Sequence, residues 1–320
     1  GNTDWYKELK RPSHRHDLNL SVRGGGEHSN YYISLGVLDY QGMVEHDDFT
    51  RYTGRINLDY DITDFLKFGT STTLGYTDVS SPGISLYTAI GFRPDYPIYN
   101  EDGSYYKEGN SYNPVAQNDA KSYNDNYSIL STSFLELNIW KGLKLKTTLS
   151  LNQNMSYSES YKPTYLTSDN KGYGTESTSR SFTTVFDNTL SWVGRINDIH
   201  ALDAVVGISF ERTKRRGFGV DAKNYPMDKV LTGITNASEI VRKSGSGTVY
   251  GLQSSFARIN YRLLDKYLLT FTARYDGSSS FGSNNRYGFF PSGAIAWRVS
   301  DESFMRNVKF LDDLKIKFSV

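Results

Sequence analysis

The sequence predicts an all-β protein, a transmembrane antiparallel β-barrel, and three observations predict it. Apolar residues recur at every second position through long stretches, which is the period of a half-covered strand and not of a helix. Those stretches run well past ten residues, whereas globular strands centre on about five or six. Tight links alternate along the chain with long polar excursions, as in barrels that turn briefly on one side of a membrane and loop widely on the other.

Each strand can be read in turn. In "RYTGRINLDY", Tyr52, Gly54, Ile56, Leu58 and Tyr60 share one face, and Arg51, Thr53, Arg55, Asn57 and Asp59 share the other. The next segment sets Leu66, Phe68, Leu74 and Tyr76 against Lys67, Gly69, Ser71 and Thr73. "LKLKTTLSLN" sets Leu143, Leu145, Leu149 and Leu151 against Lys144, Lys146, Ser150 and Asn152. "HALDAVVGISFE" sets Leu202, Ala204, Val206, Ile208 and Phe210 against Asp203, Gly207, Ser209 and Glu211. "RYGFFPSGAIAW" points Tyr287, Phe289, Ile295 and Trp297 one way and Phe290 and Ala294 the other, with Arg298 following on that second face. Pro291 lacks an N–H and predicts a bulge or irregular pairing there.

The tight links are "DITD" (61–64), "KG" (141–142), "ND" (197–198) and "LDK" (264–266), and the long loops fall near 80–126, 159–176, 215–247 and 276–285. That spacing gives about twelve strands in meander order, the layout of an outer-membrane barrel with its long loops outside the cell. Tyr60, Phe65, Trp140, Tyr261 and Tyr267 sit beside tight links, where rings form an interfacial girdle. The apolar face then meets lipid, and Arg51, Arg55, Lys144, Lys146, Arg298, Lys315 and Lys317 line a wet lumen. A soluble sheet needs a second layer over its apolar side, and no segment is amphipathic and helical enough to supply one.

Bulk composition removes other classes. The 320 residues include 25 Tyr, 17 Phe and 4 Trp, too many rings for a disordered chain. The formal net charge is +1 with no large basic block, so nothing points to nucleic acid. Cysteine is absent, which excludes a disulfide framework and thiolate metal ligation. No apolar run reaches the length of a membrane-spanning helix, and "GNTDWYKELKRP" is no signal peptide. The chain stops in "LKIKFSV" without the terminal aromatic of a finished barrel, so both ends read as cut.

Several runs resemble the SusC/RagA family of TonB-dependent outer-membrane transporters: "NTDWYKEL", "HDLNLSVRGGGEHSNYYISLGVLDYQGMV", "RYTGRINLDYDITDFLKFG", "DYPIYNEDGSYY" and "ARINYRLLDKYLLTFTARYDGSSSFGSNNRYGFFPSGAIAWRVSDESFM", with the closing "LDDLKIKFSV". They follow in order along the whole chain. Ser280 stands where members often carry Arg, and "VLDYQGMV" varies a usual Gln-Glu-Gly. The resemblance implies a barrel of about 22 strands with an N-terminal plug in its lumen. This chain then represents part of the barrel, without the plug or the upstream segment that engages TonB. It further implies a SusD-like surface lipoprotein as partner and import of oligosaccharides, peptides or similar large nutrients, energised through TonB.

Catalytic motifs are missing: there is no G-x-S-x-G elbow, H-E-x-x-H, P-loop or complete EF-hand loop. Nothing calls for a cofactor. His14 and His16 share a face at a spacing that suits a metal, but two ligands make a poor site. "QNDAKSYNDNY" (117–127) offers oxygen ligands, though local Asx-turns account for it equally, and "GSGTVYG" (245–251) reads as a flexible loop end. Ligand contact is expected in the loop 80–126, from Tyr87, Phe92, Arg93, Asp95, Tyr96, Tyr99, Tyr105 and Tyr106. Ring faces stack on sugars while amides and carboxylates bind hydroxyls; the same mixture suits a peptide, or a loop packing on itself. The competing readings are a siderophore or cobalamin receptor, a non-transporting adhesin or structural barrel, and a soluble lectin-like β-domain.

Overall fold

A strand whose every second residue is apolar can cover one face only, and neighbouring strands with the same pattern align those faces into a single sheet. The computed structural model shows that sheet and describes residues 2–109, 111–228, 230–306, 308 and 310–320. Helix α1 (Trp5–Leu9) leads into β1 (His14–Gly25), β2 (Ser29–Gln41), β3 (Asp48–Thr63) and β4 (Leu66–Ser81). Residues 82–120 hold helix α2 (Leu86–Ile90), a ribbon of β5 (Lys107–Glu108) and β6 (Ser111–Tyr112), and helix α3 (Pro114–Gln117). The sheet resumes with β7 (Lys121–Trp140), β8 (Leu143–Lys162), β9 (Tyr173–Ile196) and β10 (His200–Lys223). It ends with β11 (Glu239–Leu263), β12 (Tyr267–Ser278), β13 (Tyr287–Arg298) and β14 (Lys315–Ser319).

All but β5 and β6 form one 12-stranded antiparallel sheet in sequence order, the meander that the alternating links predict. The register carries the apolar face across it: Tyr60 opposes Phe68, which opposes Leu135, while Leu145 opposes Leu190, which opposes Val206. Among the described residues no protein layer covers that face. Leu18 and Leu20 are 68% and 69% exposed, and Leu35, Phe289 and Phe318 are similarly bare, as a lipid-facing surface requires. Among the described residues no helix is long and apolar enough to cross a membrane.

One end of the sheet closes with tight turns. Gly142 turns at φ +79° so close to the next hairpin that a Cβ would lie 2.1 Å from the Val193 carbonyl oxygen. Asn197 and Asp198 take left-handed φ of 50° and 56° within the three-residue link between the paired Ile196 and His200. Thr63 Oγ1 accepts from the Phe65 and Leu66 N–H groups, and a register shift between Asp61 and Thr63 tightens that corner. A longer connection at this end, residues 299–314, is pinned by Glu302. Its carboxylate accepts from Tyr267 Oη at 2.7 Å, Trp297 Nε1 at 3.1 Å and Lys266 Nζ at 3.0 Å. Those donors hold Glu302 ionised down to about pH 2.

The opposite end carries the long loops, which are shorter than their composition suggests: 82–120, 163–172, 224–238 and 279–286. The largest correction is at 215–247. Strands β10 and β11 stay paired to Lys223 and Glu239, so "GSGTVYG" is strand and not loop end. Composition misleads there because glycine and serine dominate the pairing. Gly217 opposes Ser246 and Gly219 opposes Ser244, a ladder needing no apolar side chain. Pro291 produces no bulge: it pairs with Ala273 in unbroken register. Its nitrogen lies on the side of β13 that faces β14, the side on which Gly293 bonds Val320.

Candidate functional site at the long-loop end

Residues 82–120 fold as a small unit with its own interior. Leu9, Ile84 and Ala89 are buried together, flanked by Leu86 and Val115, so α1 is docked on the loop. Asn113 organises the unit and is fully buried. Its Oδ1 caps α3 by accepting from the Ala116 N–H at 3.0 Å, and Pro114 follows at the first helical position. Its Nδ2 donates to the Ile98 carbonyl at 2.7 Å and to that of Tyr106 at 3.1 Å. Gly83 permits the closure, since a Cβ there would meet the Gln117 carbonyl oxygen at 2.1 Å.

The N-terminal segment clamps residues 92–96. Buried Trp5 donates from Nε1 to the Arg93 carbonyl at 3.0 Å and meets Phe92 edge-on at 5.4 Å. Thr3 donates from its N–H to the Pro94 carbonyl and from its hydroxyl to that of Tyr96. Arg93 lies over the Tyr96 ring at 4.6 Å and pairs with Asp95, whose carboxyl it holds below the usual carboxylate range.

Of the expected ligand-contact residues, Phe92, Arg93, Asp95, Tyr96 and Tyr106 therefore form one packed group, Tyr96 and Tyr106 lying 5.0 Å apart. Tyr99 stacks on Tyr105 at 5.1 Å in a second group. Tyr87 stands apart, 86% exposed. Most of these rings spend at least one face on another ring. The basic residues expected in the lumen all lie on the polar face but are not brought together. Arg51 and Arg55 oppose Thr77 and Thr73, Lys144 pairs with Glu136 at 2.9 Å, Lys146 lies over Phe134, and Arg298 faces Asp301. His14 Nε2 lies 3.2 Å from Asp39 with His16 adjacent, and among the described residues no cluster of three or more His, Cys, Asp or Glu is arranged to hold a metal.

Two carboxylates missed in the sequence stitch the loops together. Asp119 accepts from Tyr105 Oη at 2.9 Å and from Tyr165 Oη, tying 82–120 to 163–172. Burial and this carboxylate raise both phenol pKa values well above 10. Asp228 accepts from Tyr161 Oη and from the Thr164 N–H and hydroxyl, tying 163–172 to 224–238. Between the stitched loops and the polar face lies a cleft of about 710 Å³, lined by Lys107, Tyr112, Lys162, Tyr165, Tyr173 and Lys223 among others. Lys162, Tyr173 and Lys223 are consecutive across β8, β9 and β10. The signal for this row was available, since each residue ends a long alternating strand, but it needs the register to appear.

A family model described as "TonB dependent receptor-like, beta-barrel" matches residues 83–319. The chain belongs to the TonB-dependent receptor family. It is 30% identical over 99% of its length to TonB-dependent receptor P26 of Formosa agariphila, and 28% identical over 99% to TonB-dependent receptor SusC of Bacteroides thetaiotaomicron. It spans 33% and 34% of those receptors' lengths, about a third of each. Its fold superposes on the RagAB peptide transporter with a TM-score of 0.81 at 24% identity, covering 100% of this chain and 38% of that one. The ferric citrate transporter FecA, at 10% identity, gives only 0.52, with 90% of this chain and 40% of that one covered. As a TonB-dependent receptor barrel, the sheet crosses the outer membrane many times, and its bare apolar face meets lipid.

Proposed function

We propose that the chain is the barrel portion of a transporter importing a large nutrient, an oligosaccharide or a peptide, across the outer membrane with energy delivered through TonB. The observation that carries this reading is the asymmetry of the two ends: tight turns at one, and at the other loops joined through Asp119 and Asp228 into a canopy over the polar face. The canopy is the external end, and a SusD-like lipoprotein closes over it. The polar face, with Arg51, Arg55, Lys144, Lys146 and Arg298, lines the lumen, and a plug carried by the rest of the transporter gates it. Exposed Tyr87 and Tyr99, with the ion-paired Arg93 and Asp95, offer stacking faces and hydrogen bonds to a captured ligand. The cleft at Lys162, Tyr173 and Lys223 extends that surface toward the lumen. The likeness to the RagAB peptide transporter supports a peptide, and the exposed rings suit a sugar as well.

The test is growth and labelled uptake in a strain lacking the full-length gene, with oligosaccharides or peptides as sole carbon source. Loss of uptake, restored by the intact gene, is expected. Unchanged nutrient uptake with impaired iron or cobalamin acquisition would overturn the proposal in favour of a siderophore or cobalamin receptor, and no transport defect at all would favour an adhesin.

A further inference from the structure

The outer face is not uniform above its apolar band. Along β10 the outward residues run Leu202, Ala204, Val206, Ile208 and Phe210, and then change abruptly to Arg212, Lys214 and Arg216. All three cations are exposed, and so are Arg180, which opposes Arg216, and Arg286 before β13. Among the described residues Arg212, Lys214 and Arg286 form no ion pair. Farther round the same face, at the same end, the charge reverses: Asp78 opposes Asp125, and Glu159 opposes Glu176. An ordinary solvated rim mixes its signs, whereas this one runs from acidic on β4–β9 to basic on β9–β13, with Glu176 and Arg180 meeting on β9.

Beneath the cations lies a groove of about 590 Å³. Phe186, Phe210 and Tyr287 form its apolar part, and Arg212, Lys214 and Arg286 its upper edge. Gly251 leaves it open by presenting no side chain opposite Arg212, while Gly277 lets the Tyr287 ring lie where its Cβ would be. Tyr287 in turn stacks on Tyr275 at 5.2 Å and 7°, which fixes that wall.

We propose that this groove binds a phosphorylated glycolipid of the outer leaflet, with an acyl chain along Phe186, Phe210 and Tyr287 and a phosphate held by Arg212, Lys214 and Arg286. The assignment to that leaflet rests on the long-loop end being external. Unpaired cations just above an apolar band sit at the depth of lipid headgroups, where anionic lipid is their natural counter-charge. The acidic sector between β4 and β9 repels the same headgroup, so the lipid is placed on one side of the barrel.

The full-length transporter, purified from outer membranes in mild detergent, is delipidated and titrated with bisphosphorylated or dephosphorylated lipid A by native mass spectrometry. With each basic residue near an anionic surface contributing roughly fivefold, the triple variant Arg212→Gln, Lys214→Gln, Arg286→Gln loses about a hundredfold in affinity for the bisphosphorylated lipid. Lys214→Gln alone loses about fivefold, which keeps the test open should the triple variant not fold, as judged by heat-modified mobility on gels. Equal binding of the dephosphorylated lipid, or unchanged affinity in the folded triple variant, overturns the proposal. Displacement of the lipid by millimolar inorganic phosphate overturns it as well, since the groove is then a free-anion site. Weakened capture of a lipoprotein partner with unchanged lipid affinity assigns the cations to protein contact instead. The readout is lipid, so its failure is distinct from a failure of import.

Discussion

The two ends of the barrel are built by different means. The tight-turn end is closed mainly within single hairpins, by Gly142, Asn197-Asp198 and Leu264-Asp265 at positive φ and by Thr63 accepting from the Phe65 and Leu66 amides, with Glu302 and the Arg195–Asp265 pair as its longer ties. The long-loop end is closed by contacts across long sequence separations, with Tyr165 reaching Asp119, Tyr161 reaching Asp228 and Trp5 reaching Arg93. Local closure makes an end that forms with its hairpins. Remote closure makes an end that forms only when several loops have arrived together, and it can be loosened without unmaking the sheet.

The largest effect that separates the ends is expected at Asn113. Asn113→Leu removes the α3 cap, leaves the buried Ala116 N–H without its acceptor and takes one donor each from the Ile98 and Tyr106 carbonyls, a loss of about 3 kcal/mol in the local stability of the loop unit. Hydrogen exchange on the full-length protein should show 82–120 and α1 losing protection while amides near Gly142 keep theirs. Loss of protection at both ends alike would erase the distinction. Gly142→Ala is the reciprocal change. Its left-handed φ and the Val193 carbonyl in the way cost about 2 kcal/mol, felt at the β7–β8 turn and not in the canopy. Heat-modified gel mobility, with exchange as control, reads that loss.

The smallest effect is in pH. Tyr105 and Tyr165 have phenol pKa values raised above the ordinary 10.0, so the folded canopy holds their protons more tightly than the open loops do. Their contribution is complete below pH 10 and is lost progressively as pH rises beyond it. Tyrosinate absorbance should therefore appear late, together with loosening of 82–120, and Asp119→Asn should bring it to lower pH. Ordinary tyrosine titration in the intact protein would show that the stitching is weaker than the geometry implies.

Legibility in the sequence follows the same division. The period of two located the strands and their faces, down to Phe289 outward and Phe290 inward, because strand facing is a property of adjacent residues. The links "KG", "ND" and "LDK" were readable for the same reason. Asp119 and Asp228 were not, since an aspartate that accepts from a tyrosine dozens of positions away carries no local mark. Ring density in 80–126 was visible, but composition cannot tell rings that face a ligand from rings that face one another. The strands beyond Arg215 were hidden for another reason. Phe218, Val220 and Ala222 keep the alternation on β10, but they oppose Gly245, Lys243 and Ile240 on a β11 segment rich in Gly and Ser, so the composition there reads as loop.

That hairpin sets a dimension. Strands β10 and β11 have 24 and 25 residues. At about 3.3 Å per residue such a strand is roughly 80 Å long, and a tilt of about 40° leaves roughly 60 Å of height against an apolar band of about 25 Å. Much of it therefore stands clear of the lipid as a hydrogen-bonded palisade. A parapet of strand keeps its height, whereas a loop of equal length would fold and sway. In the proposed importer the vestibule above the membrane thus has a wall of fixed extent, and the bulk of cargo it shelters is set by architecture before any side chain touches the cargo.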